Sequence, residues 1–167
     1  MKKGPVFLVG MMGAGKSTLG NLLAIQSGLP FLDTDEWIES KAGKAISEIF
    51  QQQGENAFRT MEMDCFAELS FEKQWIATGG GFPCFNDLMG KMKTVGTVIY
   101  LKLSIEELCT RLKNNETRPL IQSENSMRVL HQLLTERSEI YEKADHVLNG
   151  NQALMDLVHE IENLELI

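Results

Sequence analysis

The sequence predicts an α/β domain: a parallel sheet covered on both faces by helices, in three layers. Three observations predict it. Strand-like apolar runs alternate with helical patterns along the chain. A glycine-rich loop joins the first run to the first helix. The unusual polar residues fall where predicted strands end, at Gly10 onward, Asp33 to Asp35 and Thr78 to Gly81. Sheets of this kind bind ligands at those carboxyl ends.

The elements follow in order. "PVFLVG" reads as a buried strand, and "KSTLGNLLAIQSG" as a helix closed by Gly28. "LPFLDTD" is a second, short strand. "AISEIFQQQGENAFRTMEMDCFAELSF" is helical and broken near Gly54. "KQWIATGGG" is strand then loop, and "FNDLMGKM" a short helix. "GTVIYLKL" is the clearest strand, being rich in β-branched residues. "SIEELCTRLK" opens on Ser104 as a cap, with Glu107 three residues on completing a capping box. "NNETRPLIQSEN" is polar and proline-broken, hence a loop. "SMRVLHQLLTERSEIYEKA" is a helix, "DHVLN" the fifth strand, and "QALMDLVHEIENL" a closing helix.

Composition narrows the function classes. The chain has 167 residues, one domain by the usual span of ~100–200 residues. Its net charge of −7 argues against non-specific nucleic-acid binding, although a local basic site can still hold an anion. Cys65, Cys84 and Cys109 are widely spaced, without a CxxC pair, which suggests reduced thiols in the cytoplasm rather than disulfides or zinc. No apolar stretch approaches the ~20 residues of a membrane span. "MKKGPVFLVGMMGAG" reads as strand and loop rather than signal peptide.

"GMMGAGKS" fits G-x-x-x-x-G-K-[ST] at Gly10, Gly15, Lys16 and Ser17, between a strand and a helix as that motif requires. Glycines let backbone N–H groups turn inward around phosphate oxygens, and the helix dipole adds to the attraction. Lys16 can neutralise the outer phosphates, and the Ser17 hydroxyl can ligate magnesium. "FLDTDEW" sets Asp33 and Asp35 two apart, on one side of an extended segment. Asp35 could simply cap "EWIESK"; beside a phosphate loop, one carboxylate can serve a metal and the other a hydroxyl acceptor. Arg59 and Glu62 share a helix face, as a surface ion pair or as an anion-binding arginine with its rotamer fixed. Three successive glycines, Gly79, Gly80 and Gly81, forfeit packing, which is tolerable where a ligand approaches the main chain closely. Arg118 in "TRPLI" and Arg137 in "TERSEIYEKAD" read on their own as exposed cations.

Together these residues resemble the shikimate kinase family. The resemblance runs through "VFLVGMMGAGKST", "FLDTDEWIE", "ISEIFQQQGENAFRTME", "IATGGG", "RPLI" and "ERSEIYEKAD", in family order and spacing, over nearly the whole chain. It implies a single P-loop kinase domain over residues 1–167 around a five-stranded parallel sheet. That domain would have a substrate-binding helical segment at about 34–62 and a lid at about 113–125. It implies ATP on Gly13, Ala14, Gly15, Lys16, Ser17, Thr18, Arg111 and Arg118, with Mg2+ on Ser17 and Asp33. Shikimate would lie on Asp35, Arg59, Gly79, Gly80, Gly81 and Arg137, with Glu62 behind Arg59. Lys16, Asp35 and Arg118 would be catalytic, with Asp35 as general base. Arg111 matches the family position that stacks on adenine. The expected partners are small molecules alone, with neither nucleic acid nor membrane, and a monomer is expected. Two segments depart from the family: "FPCFND" is bulkier than usual, and "LNGNQALMD" lacks the proline often found near adenine. The rivals are another small-metabolite kinase, such as a gluconate or nucleoside monophosphate kinase, and a nucleotide-dependent regulatory module without transfer.

Overall fold

A computed structural model describes residues 4–113 and 124–166. Five parallel strands form one sheet: β1 (Val6–Val9), β2 (Phe31–Asp33), β3 (Trp75–Ala77), β4 (Thr97–Lys102) and β5 (His146–Asn149), in the order β2-β3-β1-β4-β5. The flanking helices are α1 (Lys16–Ser27), α2 (Thr34–Ala42), α3 (Ile46–Glu68), α4 (Leu88–Val95), α5 (Ile105–Lys113), α6 (Glu124–Tyr141) and α7 (Leu154–Glu162). All four residues of β1 and the first five of β4 are buried, as expected for strands covered on both faces. Phe7, Leu8, Ile76, Val98 and Ile99 form the centre of the core.

The sheet sets the height of the site. Leu8 and Asp33 both pair with Ala77, so three adjacent strands end nearly level. The loops after β1, β2 and β3 therefore open side by side.

Three local details differ from the sequence reading. The extended segment stops at Asp33, and Asp33, not Asp35, caps α2: its Oδ1 accepts from Asp35 N at 2.9 Å and Glu36 N at 3.4 Å. At the start of α5 only half the capping box forms. Glu107 N donates to Ser104 Oγ at 3.2 Å, but the Glu107 carboxylate accepts from Arg111 Nε at 2.7 Å. Ser104 N donates to Asn151 Oδ1 instead. The "FND" expected to begin a helix is irregular; a 3₁₀ turn at Phe82–Cys84 precedes α4. The break in α3 does fall at Gly54, whose φ of 80° only glycine adopts cheaply. Among the described residues no helix is long and apolar enough to cross a membrane.

Candidate active site

The loop between β1 and α1 is shaped by Gly10, Gly13 and Gly15, all at positive φ. Lys16 heads α1 and folds back over the loop, its Nζ donating to Gly10 O at 2.9 Å and Met11 O at 2.8 Å. Ser17, one residue on, donates from Oγ to Asp33 Oδ2 at 2.5 Å. Asp33 thus caps α2 with one oxygen and faces the loop with the other. A cavity of about 300 Å³ opens here, bordered by the loop, Asp33, Asp35, Gly79 and Gly80, with Arg111 at its far side.

Arg111 is fixed beside the loop by Glu107, by Ala14 O at 3.3 Å and by Gly150 O at 3.0 Å. Ala14 is buried, and Gly13, Gly15 and Thr18 line the cavity. Arg118 and residues 114–123 of the expected lid lie outside the described residues.

The three glycines pack against three charged side chains, and two of them make room for one. A Cβ on Gly79 would overlap Asp35 Oδ1; one on Gly80 would sit 3.5 Å from Arg137 Nη1 and 3.3 Å from Met12 N; one on Gly81 would sit 2.5 Å from Arg59 Nη1. None of the three has positive φ, so at Gly79 and Gly81 space rather than backbone freedom selects glycine. The ribbon therefore packs against Asp35 from α2, Arg137 from α6 and Arg59 from α3 in turn; Asp35, Gly79 and Gly80 line the cavity beside the phosphate loop, and Arg59, Gly81 and Arg137 lie outside its lining.

Arg59 is heavily constrained. Its Nη1 donates to Glu62 Oε2 at 2.8 Å, and Nε and Nη2 donate to Glu55 Oε1 at 3.1 and 2.7 Å. Glu62 is 1% exposed, and its Oε1 has no hydrogen-bond partner among the described residues. Burial pushes its carboxyl above the usual carboxylate value, while Arg59 pulls the other way and less strongly.

Tyr141, Thr34 and Thr78 were given no individual role in the sequence, although Thr34 and Thr78 fall within the polar strand ends and each lies inside a quoted motif. Tyr141 is fully buried and donates to Gly80 O at 2.6 Å, holding the glycine ribbon from behind. Burial raises its phenol well above the ordinary value, so it remains a donor. Thr34, also fully buried, accepts from Gly79 N at 2.9 Å, and Thr78 Oγ1 donates to Leu8 O at 3.2 Å. Only the fixed spacing of D-T-D, T-G-G-G and E-R-x-x-x-Y hinted at them. Burial pushes the Cys65 thiol up to about 12 and the Cys84 thiol up to about 11, so neither is a nucleophile at neutral pH.

A phosphate loop at the end of β1, a hydroxyl and carboxylates beside it, and two arginines across a glycine ribbon define a P-loop kinase of small molecules. The comparisons narrow this class. A family model described as shikimate kinase matches residues 12–164. The shikimate kinase of Parabacteroides distasonis is 43% identical over 164 residues, covering 95% of each chain. The crystal structure of shikimate kinase from Bacteroides thetaiotaomicron superposes with a TM-score of 0.91 at 31% identity, covering 98% of this chain and 99% of that one. That of Acinetobacter baumannii, in complex with shikimate, gives 0.89 at 38% identity, covering 98% and 93%. The chain belongs to the shikimate kinase family.

Proposed function

We propose that this protein transfers the γ-phosphoryl group of ATP to the 3-hydroxyl of shikimate, giving shikimate 3-phosphate and ADP. One observation supports the assignment of roles: the glycine ribbon that begins at the phosphate-loop cavity backs onto Asp35, Arg137 and Arg59 in succession. One carboxylate then faces an acceptor hydroxyl while two guanidiniums face an acceptor carboxylate.

The chain's own groups supply most of the chemistry. Loop N–H groups and Lys16 hold the β- and γ-phosphates, with Lys16 Nζ turning from the Gly10 and Met11 carbonyls toward phosphate oxygens. Asp35 orients the acceptor hydroxyl and takes its proton as the oxygen bonds to the γ-phosphorus. The bond to the bridging oxygen breaks, and ADP leaves. Arg59 and Arg137 bind the shikimate carboxylate, and Glu62 and Glu55 fix Arg59 for that contact. Arg118 is assigned to the phosphates and the lid around it to water exclusion, on family resemblance.

Among the described residues no group of three His, Cys, Asp or Glu could cage a metal. One hydroxyl and one carboxylate, 2.5 Å apart, instead fit an ion that keeps waters and phosphate oxygens, as Mg2+ does. Ser17 and Asp33 would hold it, and it would neutralise charge on the phosphates. Every group named belongs to one chain, so a monomer suffices, and three unpaired thiols suit the cytoplasm.

A coupled ADP-release assay with shikimate, gluconate and nucleoside monophosphates side by side tests this, with product analysis for phosphorylated acceptor. Turnover on shikimate alone is expected. Turnover on gluconate but not shikimate, or release of free phosphate only, overturns it.

A further inference from the structure

The bulky "FPCFND" segment places one of its two rings against Arg59. Phe82 turns into the core, fully buried. Phe85 does not: its ring is half-buried and packs under Arg59, with the guanidinium carbon over the ring, 3.8 Å from its centroid. The Phe58 ring lies farther off, at 5.3 Å. At 3.8 Å the guanidinium and ring are in van der Waals contact, the stacked geometry in which a cation is held by the ring's negative face.

The backbone next to Phe85 is shaped to keep it there. Asn86 and Asp87 both have φ of 54°, in the left-handed region. Such residues cost conformational energy and persist where the surroundings demand them. The Asp87 carboxylate folds over the first turn of α4, 2.7 Å from where a Cβ on Gly90 would stand. The chain thus makes two unfavourable turns in succession immediately after presenting the ring.

We propose that Phe85 is a positioning residue for the acceptor: it covers one face of Arg59 and so fixes the plane in which that arginine meets the substrate carboxylate. The donor count supports this. A guanidinium has five N–H bonds. Three go to Glu55 and Glu62, leaving one on each terminal nitrogen. The ring excludes water from the covered face, so those two can be used only by a group approaching in plane. A carboxylate does so with two oxygens; a lone hydroxyl cannot satisfy both. A carboxylate is therefore favoured at Arg59 over a single neutral hydroxyl. The inference rests on the shikimate reading above and adds a residue to it.

The test compares F85L, which keeps an apolar side chain but loses the π face, with F85Y, which keeps the ring. For F85L the KM for shikimate is expected to rise about three- to tenfold, the range for one stacked cation–π contact. Its kcat and its KM for ATP should stay within about twofold of the parent, the spread expected of a contact that is not part of the chemistry. F85Y should restore the parental KM. Phe85 is half-buried, so neither change opens the core; F85M, close to Leu in volume, gives the same reading should F85L lose its thermal transition. A parental KM in F85L, equal losses in F85L and F85Y, or an equal rise in the ATP KM overturns the proposal. A parent protein inactive on shikimate overturns the reading beneath it instead, and the two failures are told apart by that first measurement.

Discussion

Gly81→Ala is a one-atom test of how the acceptor site is built. The new Cβ would stand 2.5 Å from Arg59 Nη1 and 3.0 Å from Nη2, where ordinary contact begins near 3.4 Å. The guanidinium must retreat by about 0.9 Å, because the ribbon behind Gly81 is tied through Gly80 to Tyr141. It has little room to retreat, being held by Glu55 and Glu62. A misplacement near 1 Å can cost ~10²-fold, so kcat/KM for shikimate should fall roughly 30- to 100-fold, mostly through KM, with little change in the KM for ATP. Gly79→Ala should cost a similar factor through kcat, because its Cβ displaces Asp35. Gly80→Ala meets nothing nearer than 3.3 Å and should be the mildest, at about threefold. Steady-state kinetics with each substrate varied in turn measures all three. The reasoning is refuted if Gly80→Ala proves the most damaging, or if Gly81→Ala moves both KM values equally.

Three further outcomes are expected. Tyr141→Phe leaves the Gly80 carbonyl without its donor, costing about 1–3 kcal/mol, which for a chain of this size lowers the thermal midpoint by about 2–10 °C; an unchanged midpoint counts against the tether. Asp33→Ala removes both the α2 cap and the carboxylate facing Ser17, losing about 0.5–2 kcal/mol of stability along with turnover; Asp33→Asn keeps the cap and should lose turnover with a near-parental midpoint. Glu62 has its folded-state carboxyl raised above the ordinary 4.5, so the folded protein binds the extra proton first. Its ionisation therefore costs stability as pH rises from about 4.5 through the raised value, and that cost vanishes on acidification. The thermal midpoint of the parent relative to Glu62→Gln should decline as pH is raised across that window; a rising difference contradicts the sign.

Much of the fold was legible because long alternations of apolar run and amphipathic stretch admit few readings. "GTVIYLKL" and "PVFLVG" are short, apolar and bounded by glycine or proline, the first rich in β-branched residues, which favours strands covered on both faces. Local capping was less legible, because Asp33 and Asp35 are equally good caps, and which one serves depends on where the sheet pairing stops. The Glu107 box failed halfway since Arg111, one turn on, competes for the same carboxylate. The candidate site was legible as residue types and spacing, while the packing of side chains against the glycines was not. Their sequence suggested a ligand against bare backbone; in space they also lie against Asp35, Arg137 and Arg59, which come from three different helices. No spacing rule reports such a convergence. Tyr141 and Thr34 were silent for a similar cause: each acts through one hydroxyl on a distant backbone atom, which leaves no local pattern.

The level ends of β1, β2 and β3 make the two rims of the sheet unequal in their tolerance of change. Successive residues of a strand face opposite ways and advance about 3.3 Å. One residue inserted within β3 would lift the glycine ribbon off its row with Leu8 and Asp33 and invert whatever followed. At the opposite rim, the exposed turn around Phe71–Lys73 leads into β3 before the ladder begins. A residue added there can bulge into solvent and leave the register untouched. Length variation in this architecture is thus expected to collect at the amino rim and stay out of the strands themselves, so that natural insertions and deletions trace which edge of the molecule does chemistry.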